Sequence, residues 1–136
     1  MIQRYRAWDK TRNEWSNGFF IYSEGGLYTP DYGFNRKHFK KRTNVYPIVK
    51  QERFILMQST GLFDVNGKEI FEGDVVKLVD EYNDSVVSAV AFQNGASGMT
   101  ADGIFVPFAA MSILSQVEYT LEIIGNIYEN PELVEG

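Results

Sequence analysis

The residue types that do chemistry are few in this chain and unevenly placed. Its single histidine, His38, stands inside Arg36-Lys37-His38-Phe39-Lys40-Lys41-Arg42, where five of the thirteen basic residues fill seven positions. A catalytic imidazole needs a carboxylate to orient it and to stabilise its protonated form; neighbouring cations do the reverse. One histidine cannot form a two-histidine zinc set, and the absence of cysteine removes thiolate metal sites, disulfides and cysteine nucleophiles together. Asp80, Glu81 and Asp84 have the charge for calcium, but position 82 is tyrosine and no glycine follows where the calcium loop must turn, so they read as a solvated turn. Asp64-Val65-Asn66-Gly67-Lys68-Glu69 looks like part of a metal loop and is better explained as a hairpin turn. Gly95-Ala96-Ser97-Gly98 is followed by Met99 rather than the Lys-Ser/Thr of a phosphate loop. Acids are plentiful enough for a glycosidase pair, but abundance is not geometry. No catalytic residue, metal ligand or cofactor is therefore assigned.

The basic run is the one segment with a functional flavour. Arg36, Lys37, Lys40, Lys41 and Arg42 have the charge to neutralise several phosphates, and Tyr32, Phe34 and Phe39 have rings to stack on unpaired bases. Against this stands an isoelectric point near 4.9, opposite to the usual footprint of a nucleic-acid binder. The charge is also split along the chain. Residues 1–77 hold all thirteen cations and nine acids, net +4, whereas residues 78–136 hold nine acids and no cation, net −9. Two other readings of the run follow: a solvated loop, or a patch that docks on the acidic half or on a neighbouring subunit. Nucleic-acid binding predicts salt-sensitive association with single-stranded DNA or RNA.

The elements that must position these residues are short. With 136 residues, 44% hydrophobic and 15% aromatic, the chain makes one ordinary domain or two small ones sharing a core. No apolar run approaches the ~18 residues of a membrane span, and the opening MIQRYRAWDK is not a secretory signal, so an intracellular protein is expected. Ile2–Trp8 alternates like a half-buried strand, Asp9–Asn13 reads as a turn, and Trp15-Ser16-Asn17-Gly18 reads as a second turn into a strand at Phe19–Tyr22. Residues 28–47 read as an aromatic loop, the basic run and an extended piece before Pro47. Farther on, Phe54–Met57 is a short apolar run and Ile104–Phe108 an extended piece; strands are expected at Val75–Val79, Val86–Phe92 and Tyr119–Ile127, with turns at Asn66-Gly67, Asp80–Ser85 and Asn94–Gly98. Ala109–Gln116 has length for only one or two helical turns. Strands of this length between Gly, Asn, Asp and Pro corners predict a mainly β protein, with residues 1–53 as an aromatic-rich region and 54–136 as the regular one. Twelve of twenty aromatics lie in residues 1–54, more than so small a region can bury alone, so they pack on the second half or at a subunit interface.

Four blocks also suggest a family. Arg6-Ala7-Trp8-Asp9-Lys10, Leu56-Met57-Gln58-Ser59-Thr60-Gly61-Leu62, Asn66-Gly67-Lys68-Glu69-Ile70-Phe71-Glu72-Gly73-Asp74-Val75-Val76 and Ile124-Gly125-Asn126-Ile127-Tyr128-Glu129-Asn130-Pro131-Glu132-Leu133 together resemble the YopX family of phage and prophage proteins. The sequence departs from that pattern at Ser59, where an aromatic is usual, and residues 25–50 match no block. The resemblance implies an SH3-like barrel in the C-terminal part and carries over no catalytic residue; the N-terminal hairpin-containing region is expected to pack on that barrel. The function expected is a non-enzymatic interaction or assembly module, self-associating as a homo-oligomer in the cytoplasm of the host bacterial cell, with a host or phage protein as partner. The alternative is a nucleic-acid-binding protein using Arg36, Lys37, Phe39, Lys40, Lys41 and Arg42. No membrane role and no cofactor are expected.

Overall fold

The computed structural model describes residues 4–16, 20–21, 27–28, 54–114 and 118–134. The chain is mainly β. It divides into two compact units, one of Arg6–Leu56 and one of Met57–Gly136 together with Met1–Tyr5. Among the described residues no helix is long and apolar enough to cross a membrane.

The unit of Arg6–Leu56 takes β1 (Tyr5–Asp9) from Arg6 onward, and β1 runs antiparallel to β2 (Glu14–Trp15), pairing Trp8 with Trp15 and Asp9 with Glu14. The reversal is made by Asp9. Its fully buried carboxylate accepts the Thr11 and Arg12 amides at 3.0 and 3.3 Å, and its carbonyl accepts Asn13 N–H at 2.8 Å. Asn13 takes a φ of 55°, a left-handed conformation that asparagine tolerates better than most residues. The two indoles then meet edge-on at 4.9 Å, with the Arg6 guanidinium 4.4 Å from the centre of the Trp15 ring. The expected turn at Asp9–Asn13 is thus a hairpin, while Trp15, read from sequence as part of a turn, is in a strand. A second pair joins β3 (Phe20–Ile21) to β4 (Leu27–Tyr28). Tyr28, read from sequence as the start of an aromatic loop, is thus in a strand; the turn placed at Asn17-Gly18, the rest of that loop and the basic run lie outside the described residues.

The second unit takes β5 (Phe54–Phe63) from Met57 onward, then β6 (Glu69–Phe71), β7 (Asp74–Asp80), β8 (Ser85–Ala89), β9 (Ala91–Gln93), β10 (Ala96–Ala101), β11 (Ile104–Pro107), helix α1 (Phe108–Leu114), β12 (Tyr119–Asn126) and a 3-10 turn at Pro131–Leu133. Two antiparallel three-stranded sheets form, in the orders β12-β7-β8 and β9-β10-β11. Sequence reads Val86–Phe92 as one strand; it is two, because the chain crosses between sheets at Val90. β8 pairs with β7, β9 pairs with β10, and the Val90 amide and carbonyl are held by Asp74 O and Gly73 N–H. Val90 itself is buried in the core with Ile70, Val76, Met99 and Phe108. Half-buried Leu78, Met111, Leu121 and Ile123 pack around them.

Gly98, assigned from sequence to a glycine-rich turn, lies inside β10. The turn is confined to Asn94-Gly95, both at positive φ. A Cβ on Gly98 would strike the Val106 carbonyl and come within 2.8 Å of Phe105 and of Pro107 Cα. The missing side chain is what lets β11 lie against β10 there.

Candidate functional site

The two sheets are joined where Ser88 Oγ accepts the Thr100 amide at 2.9 Å. Between them lies an open cleft of about 320 Å³. One wall comes from neighbouring positions of the first sheet, Leu78 opposite Val86 and Asp80 opposite Tyr119. The other comes from Met99, opposite Val106 on β11, and from Ala101 two positions on, with Met111 of α1 also lining it. Side chains two apart on a strand share a face, so each sheet offers this cleft one face of its alternation. Leu78, Met99 and Met111 also belong to the core or its shell, which makes the cleft the open end of the hydrophobic core.

Two polar groups stand on this apolar lining. Asp80 begins the β7–β8 turn, where its Oδ1 accepts both the Tyr82 and the Asp84 amides at 2.9 Å. Asn83 supplies the left-handed residue of that turn, at φ 65°. The carboxylate is therefore held in one orientation, and its Oδ2 accepts from no group among the described residues. The Tyr119 hydroxyl likewise makes no hydrogen bond among them. This lining lacks the nucleophile–base pair that covalent chemistry requires. Its size and apolar character, with Asp80 and Tyr119 on the lining, fit the binding of a ligand or side chain. Among the described residues no group of three or more His, Asp or Glu is arranged to hold a metal ion.

A second cavity of about 530 Å³ is lined by Gln58, Ser59, Thr60, Ser97, Phe92 and Phe108 among others. Two of its hydroxyls are committed to the fold. Ser59 Oγ accepts the Gly61 amide, while Thr60 Oγ1 donates to the Ile70 carbonyl and accepts the Leu62 amide.

Asp64, between the second and third sequence blocks, and several polar residues within the blocks serve structure. Asp64 closes the β5–β6 turn, its Oδ1 accepting the Asn66 and Lys68 amides at 2.9 and 2.8 Å. Its Oδ2 accepts the Ile123 amide of β12 at 3.0 Å, and next to it Val65 N–H bonds the Leu121 carbonyl. Burial pushes this carboxyl up, but the amides of Ile123, Lys68 and Asn66 and the Lys68 charge outweigh it, and the net effect is a lowered pKa. Asp74 Oδ2 accepts the Phe71 amide and so holds the corner before β7. Asn126 Oδ1 accepts the Tyr128 and Glu129 amides at the exit of β12, while Asn130 Oδ1 accepts Asn126 N–H. A Cβ on Gly125 would meet that Asn130 side chain at 2.5 Å, which accounts for the glycine in this block.

The six residues proposed from sequence for nucleic-acid contact, Arg36, Lys37, Phe39, Lys40, Lys41 and Arg42, lie outside the described residues. Apart from Asp80, which reads from sequence as part of a solvated turn, the cleft residues carry no local signal, because Leu, Val and Met on a strand read alike whether they fill a core or line its opening. One signal exists. Asp80 sits on the same strand face as Leu78, and a carboxylate in register with an apolar face marks the point where that face meets solvent.

With this geometry in view, the relatives can be placed. The YopX protein family matches residues 4–135. The SPbeta prophage-derived uncharacterized protein YopX of Bacillus subtilis (strain 168) is 36% identical over 74 residues, an alignment that spans 53% of this chain and 54% of that protein. The crystal structure of protein EF1440 from Enterococcus faecalis is similar over 99% of both chains, at 28% identity and a TM-score of 0.63. That of yopX from Bacillus subtilis is similar over 96% of this chain and 97% of that one, at 26% identity and a TM-score of 0.58. Four blocks in order, a mainly β architecture and a family match over nearly the whole length lead to one conclusion: the chain belongs to the YopX protein family.

Proposed function

We propose that this YopX-family chain is a phage-encoded, non-enzymatic interaction module that holds an apolar side chain of a protein partner in the cleft between its two three-stranded sheets. The single observation behind this reading is the cleft itself, about 320 Å³ of apolar lining open to solvent at the end of the core. Its finer architecture we read as an SH3-like barrel, supported by the short strands and by the passage between sheets at Val90. The prophage origin of the Bacillus relative supports action inside a bacterial host. The charge split along the chain supports self-association as the assembly role, and the partner is a second copy, a host protein or a phage protein.

The test is co-purification of the full tagged chain from host cells, with nuclease treatment, comparing wild type with Val86→Arg. Val86 lines the cleft and is 38% exposed, so the long charged side chain enters the cleft without entering the core. A partner identified by mass spectrometry, resistant to nuclease and lost from Val86→Arg but kept by Val134→Arg, is the expected result. An unchanged set of partners in Val86→Arg overturns the assignment. Sedimentation velocity tests self-association, which a strict monomer refutes. Nuclease-sensitive recovery, abolished by neutralising residues 36–42, would favour nucleic-acid binding instead.

A further inference from the structure

We propose that the cleft selects a cationic partner: a protein segment that places an apolar side chain between the sheets and a lysine or arginine beside it, on Asp80 and Tyr119. The inference rests on the cleft reading above and adds the chemistry of the occupant. Three observations carry it. Asp80 lines the cleft, its carboxylate aimed by two backbone amides on Oδ1 while Oδ2 has no partner among the described residues. Tyr119 stands opposite it in strand register and lines the same cleft, with an unengaged hydroxyl. Finally, no basic residue occurs anywhere from Leu78 to Gly136, against nine acids.

The physical reasoning is direct. A carboxylate already turned by its own backbone pays little further entropy to accept a charge-assisted hydrogen bond, and it repels an anionic occupant. The face of a phenol ring attracts an ammonium or guanidinium, and its hydroxyl accepts a hydrogen bond from either. The aliphatic stems of lysine and arginine lie well along apolar walls while their heads stay at a wet rim. An acidic or neutral segment of equal hydrophobicity gains the apolar contact alone. Salt must therefore weaken the cationic complex and leave the neutral one nearly unchanged.

Two labelled synthetic peptides test this by fluorescence anisotropy against the full chain at low and high salt. They share a central leucine, flanked in one by lysines and in the other by glutamines. The lysine peptide is expected to bind about tenfold more tightly at low salt, the worth of one charge-assisted hydrogen bond. That gap is expected to close at high salt and in Asp80→Asn, whose amide oxygen still accepts the Tyr82 and Asp84 amides. Tyr119→Phe keeps the ring and narrows the gap less. An unchanged melting temperature for each variant excludes loss of fold as the cause. Equal affinities for the two peptides, or an Asp80→Asn chain that still prefers the lysine peptide, overturn the cationic inference and leave the cleft reading standing. Binding of neither peptide overturns both.

Discussion

Replacing Asp64 by alanine removes three hydrogen-bond acceptor contacts at once. They differ in worth. The Ile123 amide lies in β12, where the carboxylate is its strand-edge partner at 3.0 Å, whereas the Asn66 and Lys68 amides lie in an exposed turn that water can reach. Orphaning a buried amide costs roughly 1–3 kcal/mol; the Ile123 amide is part-buried and the other two meet water, so the three together put the expected loss in Asp64→Ala at about 1–3 kcal/mol. Asp64→Asn keeps one oxygen for the turn but sets an amide NH2 against an N–H, so about 1–2 kcal/mol is lost. The pH dependence follows from the lowered pKa of the folded state. Near pH 4 the unfolded chain binds more protons at this residue, so the carboxylate's contribution is complete above the unfolded value of about 3.9 and disappears as pH falls through the folded one. Urea unfolding from neutral pH to about pH 3 should therefore give a wild-type curve that falls more steeply below pH 4 than that of Asp64→Asn. Wild type and Asp64→Ala agreeing within about 0.5 kcal/mol, or parallel acid profiles for wild type and Asp64→Asn, would refute the reasoning.

Further substitutions probe other parts of the fold. Gly98→Ala should lower stability by about 2–3 kcal/mol in urea, because the obstructing atoms include the Val106 and Pro107 backbone and cannot swing aside. Gly125→Ala should cost less by the same assay, since its obstacles are the Asn130 and Leu133 side chains. Asp74→Ala, leaving the Phe71 amide without its carboxylate, is expected to lose about 1–3 kcal/mol and several degrees of melting temperature. The only two tryptophans form one edge-on pair, so Trp15→Phe should change both the near-ultraviolet circular dichroism and the emission of Trp8; an unchanged Trp8 signal would contradict the pairing.

Much of the local structure was legible in the residues themselves. β7 was announced by its β-branched run and β12 by strict alternation, because one buried face forces a period of two on any strand. Asn66-Gly67 and Asn94-Gly95 marked turns because both glycines need positive φ, and Asp74 marked a corner because its short side chain reaches a nearby amide. Asp102-Gly103 carries the same signal for the β10–β11 hairpin, with both residues at positive φ. The β1–β2 hairpin was only half legible, since the residue that makes it, Asp9, is a buried acid in a segment that reads as solvated turn.

The sequence by itself determined the mainly β class, the positions of most turns among the described residues and, through four ordered blocks, the family. Tertiary structure alone decided where the strands change sheets, which glycine admits a neighbouring strand, and which acid reaches 59 residues along the chain to hold β12. It also decided that Leu78, Val86 and Met111 line an opening at the end of the core, whose floor includes the buried Met99. Periodicity and turn preference are short-range properties carried by each residue and its neighbours. Whether two apolar faces close on each other depends on the distance between sheets, and no local pattern encodes it.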